Sequence, residues 1–319
     1  MLLSPTPMHI PDGFLSVPVS ILLWLIAIIF IGYGLKRVGA DLGERQVPLM
    51  GVLAAVIFAG QMLNFAVAGG SSGHLMGAAI ATILLGPWAA MLVLTCVVSI
   101  QALIFQDGGL LVLGANIFNM AIVGVTVAYM TYRSVHKIAK KHSWGIFIGG
   151  FAAAWLSVEV AALATALELV LSGTSPANIA IPAMAGIHAL IGIGEGLITV
   201  GALAFLYASR GDLLKTGNVV SAHGNFVWVI GLALALLLAI ASPLASVHPD
   251  GLEWAAKQND FLSLAQSPFY KIIPDYLFPG VSNTTLATIL AGVIGAMIVF
   301  GVALGLAYSR RHKSSTGGE

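Results

Sequence analysis

The sequence predicts an all-α fold: a polytopic transmembrane helical bundle of about nine spans, with the N-terminus out and the C-terminus in. Three observations predict it. Hydrophobic residues make up 58% of the 319 residues and charged residues only 8%. The mean hydropathy is +0.97. Apolar runs of membrane-spanning length recur from one end of the chain to the other. Soluble domains carry about 25% charged residues, so a chain this apolar has lipid as its solvent. The net charge of +1 argues against a nucleic-acid partner. Cys96, the single cysteine, lies inside an apolar run, which excludes disulfides and cysteine-based metal sites. The 37 glycines suit close helix packing. Residues 1–7 are too short, and lack the basic start, for a cleavable signal peptide.

The apolar runs occupy residues 17–36, 48–65, 75–106, 110–132, 145–171, 182–208, 223–243 and 284–308. A span needs about 20 residues. The run 75–106 is too long for one helix, and it contains Gly86-Pro87, where a helix breaks. Charge supports dividing it there. Of the 14 Lys and Arg residues, those following the first run (Lys36, Arg37, Arg45), the fourth (Arg133, Lys137, Lys140, Lys141), the sixth (Arg210, Lys215) and the last (Arg310, Arg311, Lys313) all fall inside only if 75–106 crosses twice. The division gives nine spans and places the N-terminal turn, the loop 66–74 and the segment 244–283 together on the outer face.

His9 and His74 are then on one side of the membrane. If Met8 is the first residue, its free amine, the His9 amide nitrogen and the His9 imidazole form fused five- and six-membered chelate rings in one plane, with His74 available as a fourth donor. Planar nitrogen ligation favours Ni(II) or Cu(II), with Co(II) also accommodated, and affinity then falls in acid. Spacing alone describes the two equally well as separate loop histidines. Pro11-Asp12-Gly13 is a turn by residue chemistry and points the amino end back toward the bundle. Gly69, Gly70 and Gly73 let the loop backbone approach an ion, or simply make the loop flexible.

Several buried polar residues carry a double reading. Asn116 and Asn119 share a helix face and either support the metal loop or bond neighbouring helices; Gln101 and Asp107 stand at the outer end of the fourth span in the same position. Glu159, His188 and Glu195 are ionisable groups within spans, which are functional candidates by default, either as a cation path or as a mutually satisfied set. The acids Asp250, Glu253, Asp260 and Asp275, with His248, either gather cations or belong to a solvated loop. The sequence has no Gly-x-x-x-x-Gly-Lys-Ser/Thr phosphate loop, no His-Glu-x-x-His and no Gly-x-Ser-x-Gly. A non-catalytic protein is expected.

Four separated stretches carry a family resemblance: Met8-His9-Ile10-Pro11-Asp12-Gly13-Phe14-Leu15, Gly69-Gly70-Ser71-Ser72-Gly73-His74-Leu75, Leu85-Gly86-Pro87-Trp88-Ala89 and Gly114-Ala115-Asn116-Ile117-Phe118-Asn119-Met120. In this order they resemble the CbiM/NikM-type substrate-binding component of cobalt/nickel energy-coupling-factor (ECF) transporters, over about residues 8–210. Pro249-Asp250-Gly251-Leu252-Glu253 is similar to the PDGLE signature of the small CbiN/NikN-like component, which has two spans and an external loop. The resemblance implies a fusion: an M-type metal-binding domain over 8–215 and an N-type segment over 216–319.

By resemblance, Met8, His9 and His74 are the metal ligands, with Gly73, Asn116, Asn119 and Gln101 supporting them. The substrate is Ni2+ or Co2+, with no organic cofactor. The implied partners are a transmembrane T component (CbiQ/NikQ-like) and cytoplasmic ATPase subunits (CbiO/NikO-like), at a prokaryotic cell membrane. Planar ligation and the fused arrangement favour nickel; the alternatives are a cobalt importer serving cobalamin synthesis, or an ATP-independent cation transporter using Glu159, His188 and Glu195. Residues Met1 to Pro7 depart from the family pattern, because a Pro7-Met8 peptide bond removes the free amine. Translation from Met8, or removal of the segment, is therefore expected.

Overall fold

The computed structural model describes residues 9–41, 46–140, 142–214 and 224–316. Met8, Arg45, Lys141 and Lys215 lie outside the described residues, as does most of the expected join between the two parts of the chain.

The helices follow the apolar runs. The first domain comprises α1 (Val17–Asp41), α2 (Gln46–Gln61), α3 (Ala78–Leu85), α4 (Pro87–Ile100), α5 (Leu113–Ile117), α6 (Val125–Ile138), α7 (Trp144–Leu171) and α8 (Ala177–Arg210). After them come α9 (Gly224–Ala241), the short α10 (Gly251–Gln258) and α11 (Thr284–Thr316). The long run breaks where proline chemistry requires it: α3 ends at Gly86, with φ +78°, and Pro87 opens α4. Proline is tolerated in a first helical turn because its missing N–H has no partner there anyway. Two π-turns extend this scaffold, Gln101–Phe105 after α4 and Phe118–Gly124 between α5 and α6. Such turns concentrate at functional sites, and both of these adjoin the loops described below.

Among the described residues, six helices are long and apolar enough to cross a membrane: Val17–Val38, Pro87–Phe105, Leu113–Ile138, Trp144–Leu171, Ala177–Ser209 and Thr284–Arg311. The chain is a multi-pass helical membrane protein. Gln46–Gln61 and Trp228–Leu244 are shorter apolar helices. At 1.5 Å per residue, α3 is only about 12 Å long, so helix length by itself supports six spans rather than nine. The all-α expectation also misses one element: residues between α2 and α3 form an antiparallel hairpin of β1 (Phe65–Val67) and β2 (Ser71–Gly73), with Phe65 opposite Gly73. Gly69 and Gly70 turn the hairpin at positive φ.

The ends of the bundle are distinct. Arg37, Gln46, Gly86 and Trp88 line one common cavity, and α1, about 37 Å long, separates this end from the residues that precede Val17. Helix α7 packs on α8, and α2 packs on both α9 and α11, so the C-terminal helices are part of the bundle. Some approaches are very close: a Cβ on Gly114 would stand 2.6 Å from the Trp24 backbone of α1. Nothing lies within 4 Å of a Cβ at Gly301. Gly114→Val is therefore expected to destabilise the detergent-purified chain by about 1–3 kcal/mol through overpacking, lowering its melting temperature, while Gly301→Ala leaves the melting temperature unchanged.

Candidate metal centre

The amino end is held down by the turn chemistry of Pro11-Asp12-Gly13. One carboxylate does most of this: Asp12 accepts from the backbone N–H groups of Leu110 (3.1 Å), Leu111 (2.9 Å) and Val112 (3.3 Å). Gly109 N–H donates to Ile10 O at 2.9 Å. Asn116 then bonds the same residue twice, accepting from Ile10 N–H at 3.0 Å and donating to Ile10 O at 3.1 Å. Residues 9–12 are thus laid against the loop between α4 and α5, and His9 is carried into the protein, 5% exposed.

Asp107 receives it. Its Oδ1 accepts from the His9 backbone N–H at 3.2 Å and lies 2.9 Å from His9 Nδ1. A carboxylate accepts hydrogen bonds, so Nδ1 carries a proton, and Nε2 is the nitrogen that can bind a cation once it has released its own. Nε2 is buried with no hydrogen-bond partner among the described residues. Burial pushes the His9 pKa down, but the charge and hydrogen bond of Asp107, helped by Asp250, outweigh it and raise the pKa above the ordinary value.

His74 follows β2 directly. Glu195 of α8 fixes the backbone just beyond it, accepting from Met76 N–H at 2.8 Å and Gly77 N–H at 2.9 Å. Just before it, Gly73 is fitted closely against α8: a Cβ there would meet Ile191 at 2.6 Å. His74 Nδ1 lies 3.2 Å from Leu75 O. A carbonyl cannot donate, so Nδ1–H is again the donor and Nε2 carries the lone pair. Burial, with the neighbouring His9 charge, lowers the His74 pKa to about 4. The ring is neutral at physiological pH and able to ligate a cation.

The two imidazole rings are 5.8 Å apart between centroids, tilted by 49°. With metal–nitrogen bonds of about 2.0 Å, two imidazoles sharing one ion have centroids roughly 4.5–6.4 Å apart, so the spacing fits. They line a cavity of about 100 Å³ together with Asn116, Asn119, His188 and Asp250. A histidine that donates one ring nitrogen to a carboxylate or a carbonyl, as His9 and His74 do, has the arrangement typical of metal-ligating histidine. No group of three or more His, Cys, Asp or Glu side chains among the described residues could hold an ion. Further donors therefore have to come from backbone, the amino end or water.

The structure sorts the expected residues clearly. His9 and His74 come together, and Gly73, Asn116 and Asn119 line the same cavity. Asn119, however, bonds α7, donating to Thr165 Oγ1 (3.1 Å) and Glu168 Oε2 (2.8 Å). Gln101 is buried but does not line the cavity. Of the three intramembrane candidates only His188 lines it; Glu159 does not, and Glu195 is committed to the Met76 and Gly77 amides. The planar chelate expected from the sequence uses the His9 amide nitrogen and Nδ1, and Asp107 holds both of these here.

Sequence reading left Asp107 open between supporting the metal loop and bonding neighbouring helices, and gave no role to Tyr276, whose hydroxyl donates to Asp107 Oδ2 at 2.6 Å. Asp250 is no solvated loop acid. It is 4% exposed, caps α10 by accepting from Glu253 N–H at 2.7 Å, and has its pKa raised by burial to about 7.

The segment between α9 and α11 covers this end of the molecule. Ser72 N–H donates to Pro249 O (2.7 Å), Ser72 Oγ to His248 O (2.8 Å), Trp254 Nε1 to Gly69 O (3.0 Å) and Gln266 N–H to Asp12 O (2.8 Å). It therefore touches both the hairpin that carries His74 and the turn that carries His9.

Residues 9–213, the part of the chain that supplies both histidines, match the family described as the CbiM cobalt uptake substrate-specific transmembrane region. The chain belongs to the CbiM family. Residues 225–312 match the PDGLE domain, so this CbiM-family chain carries both parts in one polypeptide. It is 37% identical over 306 residues to the putative fused nickel transport protein NikMN of Archaeoglobus fulgidus, covering 95% of this chain and 98% of that protein. The fused nickel transport protein NikMN of Rhodobacter capsulatus is 31% identical, over 93% of this chain and 96% of that one. A crystal structure of a truncated transition metal transporter superposes with a TM-score of 0.57 and 35% identity, covering 63% of this CbiM-family chain and 99% of that chain.

Asn116→Ala removes both bonds to Ile10 and leaves buried backbone groups unsatisfied, at a cost of about 1–3 kcal/mol for each. Hydrogen exchange at Ile10 is expected to quicken in that variant while exchange within α7 is unaffected.

Proposed function

We propose that this chain is the substrate-binding membrane component of an ECF-type importer, and that it takes Ni2+, or Co2+, from the outer face of a prokaryotic cell membrane. The observation that carries this reading is the meeting of His9 and His74, 65 positions apart in sequence, with ring centroids 5.8 Å apart at one cavity. Both rings present a metal-competent nitrogen, and the similarity to fused nickel transport proteins extends over nearly the whole chain. The cation is the cargo. Transport needs energy from partners, a transmembrane T component and cytoplasmic ATPase subunits, whose contact surfaces would be the basic loops at the opposite end.

In this reading the N-terminus is out and the C-terminus in, with nine passes. The close neighbourhood of Gly86 and Arg37 supports the double crossing of residues 75–106, with the turn between α3 and α4 at the basic end. The chain divides into the metal-binding domain over 8–215 and the PDGLE segment over 216–319.

Two donor sets are compatible with the two-histidine core. A planar site built from the Met8 amine, the His9 amide, His9 Nδ1 and His74 requires the ion to displace Asp107 from both His9 nitrogens. A site built on His9 Nε2 keeps Asp107 in place as the orienting carboxylate, and the unpartnered Nε2 favours it. The planar set favours nickel over cobalt, and it requires a free amine at Met8; the imidazole set tolerates residues 1–7. Nickel binding by the intact 319-residue chain would select the imidazole set, and binding only after removal of residues 1–7 the planar one.

Metal analysis of the detergent-purified chain tests the function itself. His74→Ala is expected to weaken nickel binding by more than the roughly 10–100-fold that loss of an outer partner costs, and Glu159→Gln to leave it unchanged. Metal uptake by the chain alone, abolished by Glu195→Gln yet indifferent to His74→Ala, would instead indicate a secondary cation transporter.

A further inference from the structure

The residues that follow His74 cannot secure themselves. Gly77 precedes α3 at φ +78° with no side chain to cap the helix, and only glycine fits there, since a Cβ would stand 2.9 Å from Ile57. The first amides of a helix have no partner within it and, when buried, must find one elsewhere. Glu195 supplies it from α8. Its Oε2 accepts from Met76 N–H at 2.8 Å and its Oε1 from Gly77 N–H at 2.9 Å. A carboxylate in this place also meets the positive end of the α3 dipole. Gln61, the last residue of α2, holds Met76 from its other side, with Nε2 donating to Met76 O at 3.2 Å. Glu195 and Gln61 are both completely buried. One turn earlier on α8, Ile191 stands 2.6 Å from where a Cβ on Gly73 would be. Helix α8 thus grips the backbone on both sides of His74.

We propose that Glu195, aided by Gln61, is a positioning residue for the metal centre: the two side chains clamp Met76 and Gly77 and thereby fix the place of the His74 ring at the cavity. The role rests on the reading of His74 as a ligand. It holds for every donor set that includes His74, because the clamp makes no bond to His9. An ionisable group inside a span is a functional candidate by default, and this one acts on the backbone rather than on a passing ion. Both its oxygens face amide donors, and it does not line the cavity that the histidines share. Outer partners of ligating histidines are worth about 10–100-fold in affinity, and a partner that works through the main chain belongs at the lower end of that range.

Glu195→Gln is the discriminating variant because it keeps the length and shape of the side chain but turns one acceptor into a donor, which then faces a backbone N–H. In the purified full chain we expect it to weaken Ni(II) binding about tenfold. Gln61→Met removes a single hydrogen bond and should weaken binding about 2–10-fold. In the metal-free chain, 15N-histidine NMR should show the His74 ring signal moved by Glu195→Gln and the signal of His136, on α6, unmoved. Native nickel affinity in Glu195→Gln, with or without a loss of uptake, or an unmoved His74 signal would overturn the proposal. Should Glu195→Gln fail to fold, native affinity in Gln61→Met overturns it instead. If His74→Ala binds nickel as the native chain does, the ligand assignment has failed. If nickel binding needs His74 yet ignores both clamping side chains, only the positioning role has failed.

Discussion

A carboxylate that is 1% exposed has to be supplied with hydrogen-bond donors, because a buried charge left unpaired is among the most expensive things a fold can contain. Asp107 meets that demand by gathering groups from distant parts of the chain: the amino end through His9, and the C-terminal segment through Tyr276. Its place just beyond the π-turn that ends α4 allows both to reach it. The geometry of the candidate metal centre follows from this single requirement. With His9 fixed to Asp107, and Ile10 to Asn116, His9 lines the cavity. The opposite wall is set by an equivalent device, since Glu195 is satisfied by the two backbone amides that follow His74.

Much of the architecture could be read from the sequence. Lipid as solvent forces long apolar helices, and Gly86-Pro87 marks the break between α3 and α4 because proline cannot continue a helix. Charge counting suggested only that His9 and His74 share a side; that their rings lie 5.8 Å apart could not be read from it. The number of spans was not legible either. Hydropathy counts apolar residues, and α3 reaches only Ala78–Leu85 because the residues before it are spent on the hairpin and the His74 loop. A three-residue strand such as Phe65–Val67 leaves no periodic signal at all.

The site was half visible for a related reason. Histidines stand out in an apolar chain, and Asn116, which sequence left between supporting the site and bonding helices, lines the cavity and bonds Ile10. Asp107 gave the same two-sided signal as Gln101, and Tyr276 gave none. Their roles depend on each other across 169 positions, and no local pattern marks a tyrosine that must adopt positive φ to reach a carboxylate. Asp250 was misleading in the opposite way: surrounded by polar residues, it reads as solvated, yet it caps α10 inside the structure.

The segment between α9 and α11 grips the hairpin through main-chain groups such as Pro249 O and Gly69 O, and the two helices that carry it are packed into the same bundle. Tethering at both ends makes the segment's docking a unimolecular event with a high effective concentration. A handful of individually weak hydrogen bonds then suffices to keep the cover shut. The same weakness lets it part locally and re-form without the two domains ever separating, which a cover supplied by a free-standing subunit would have to achieve by diffusion.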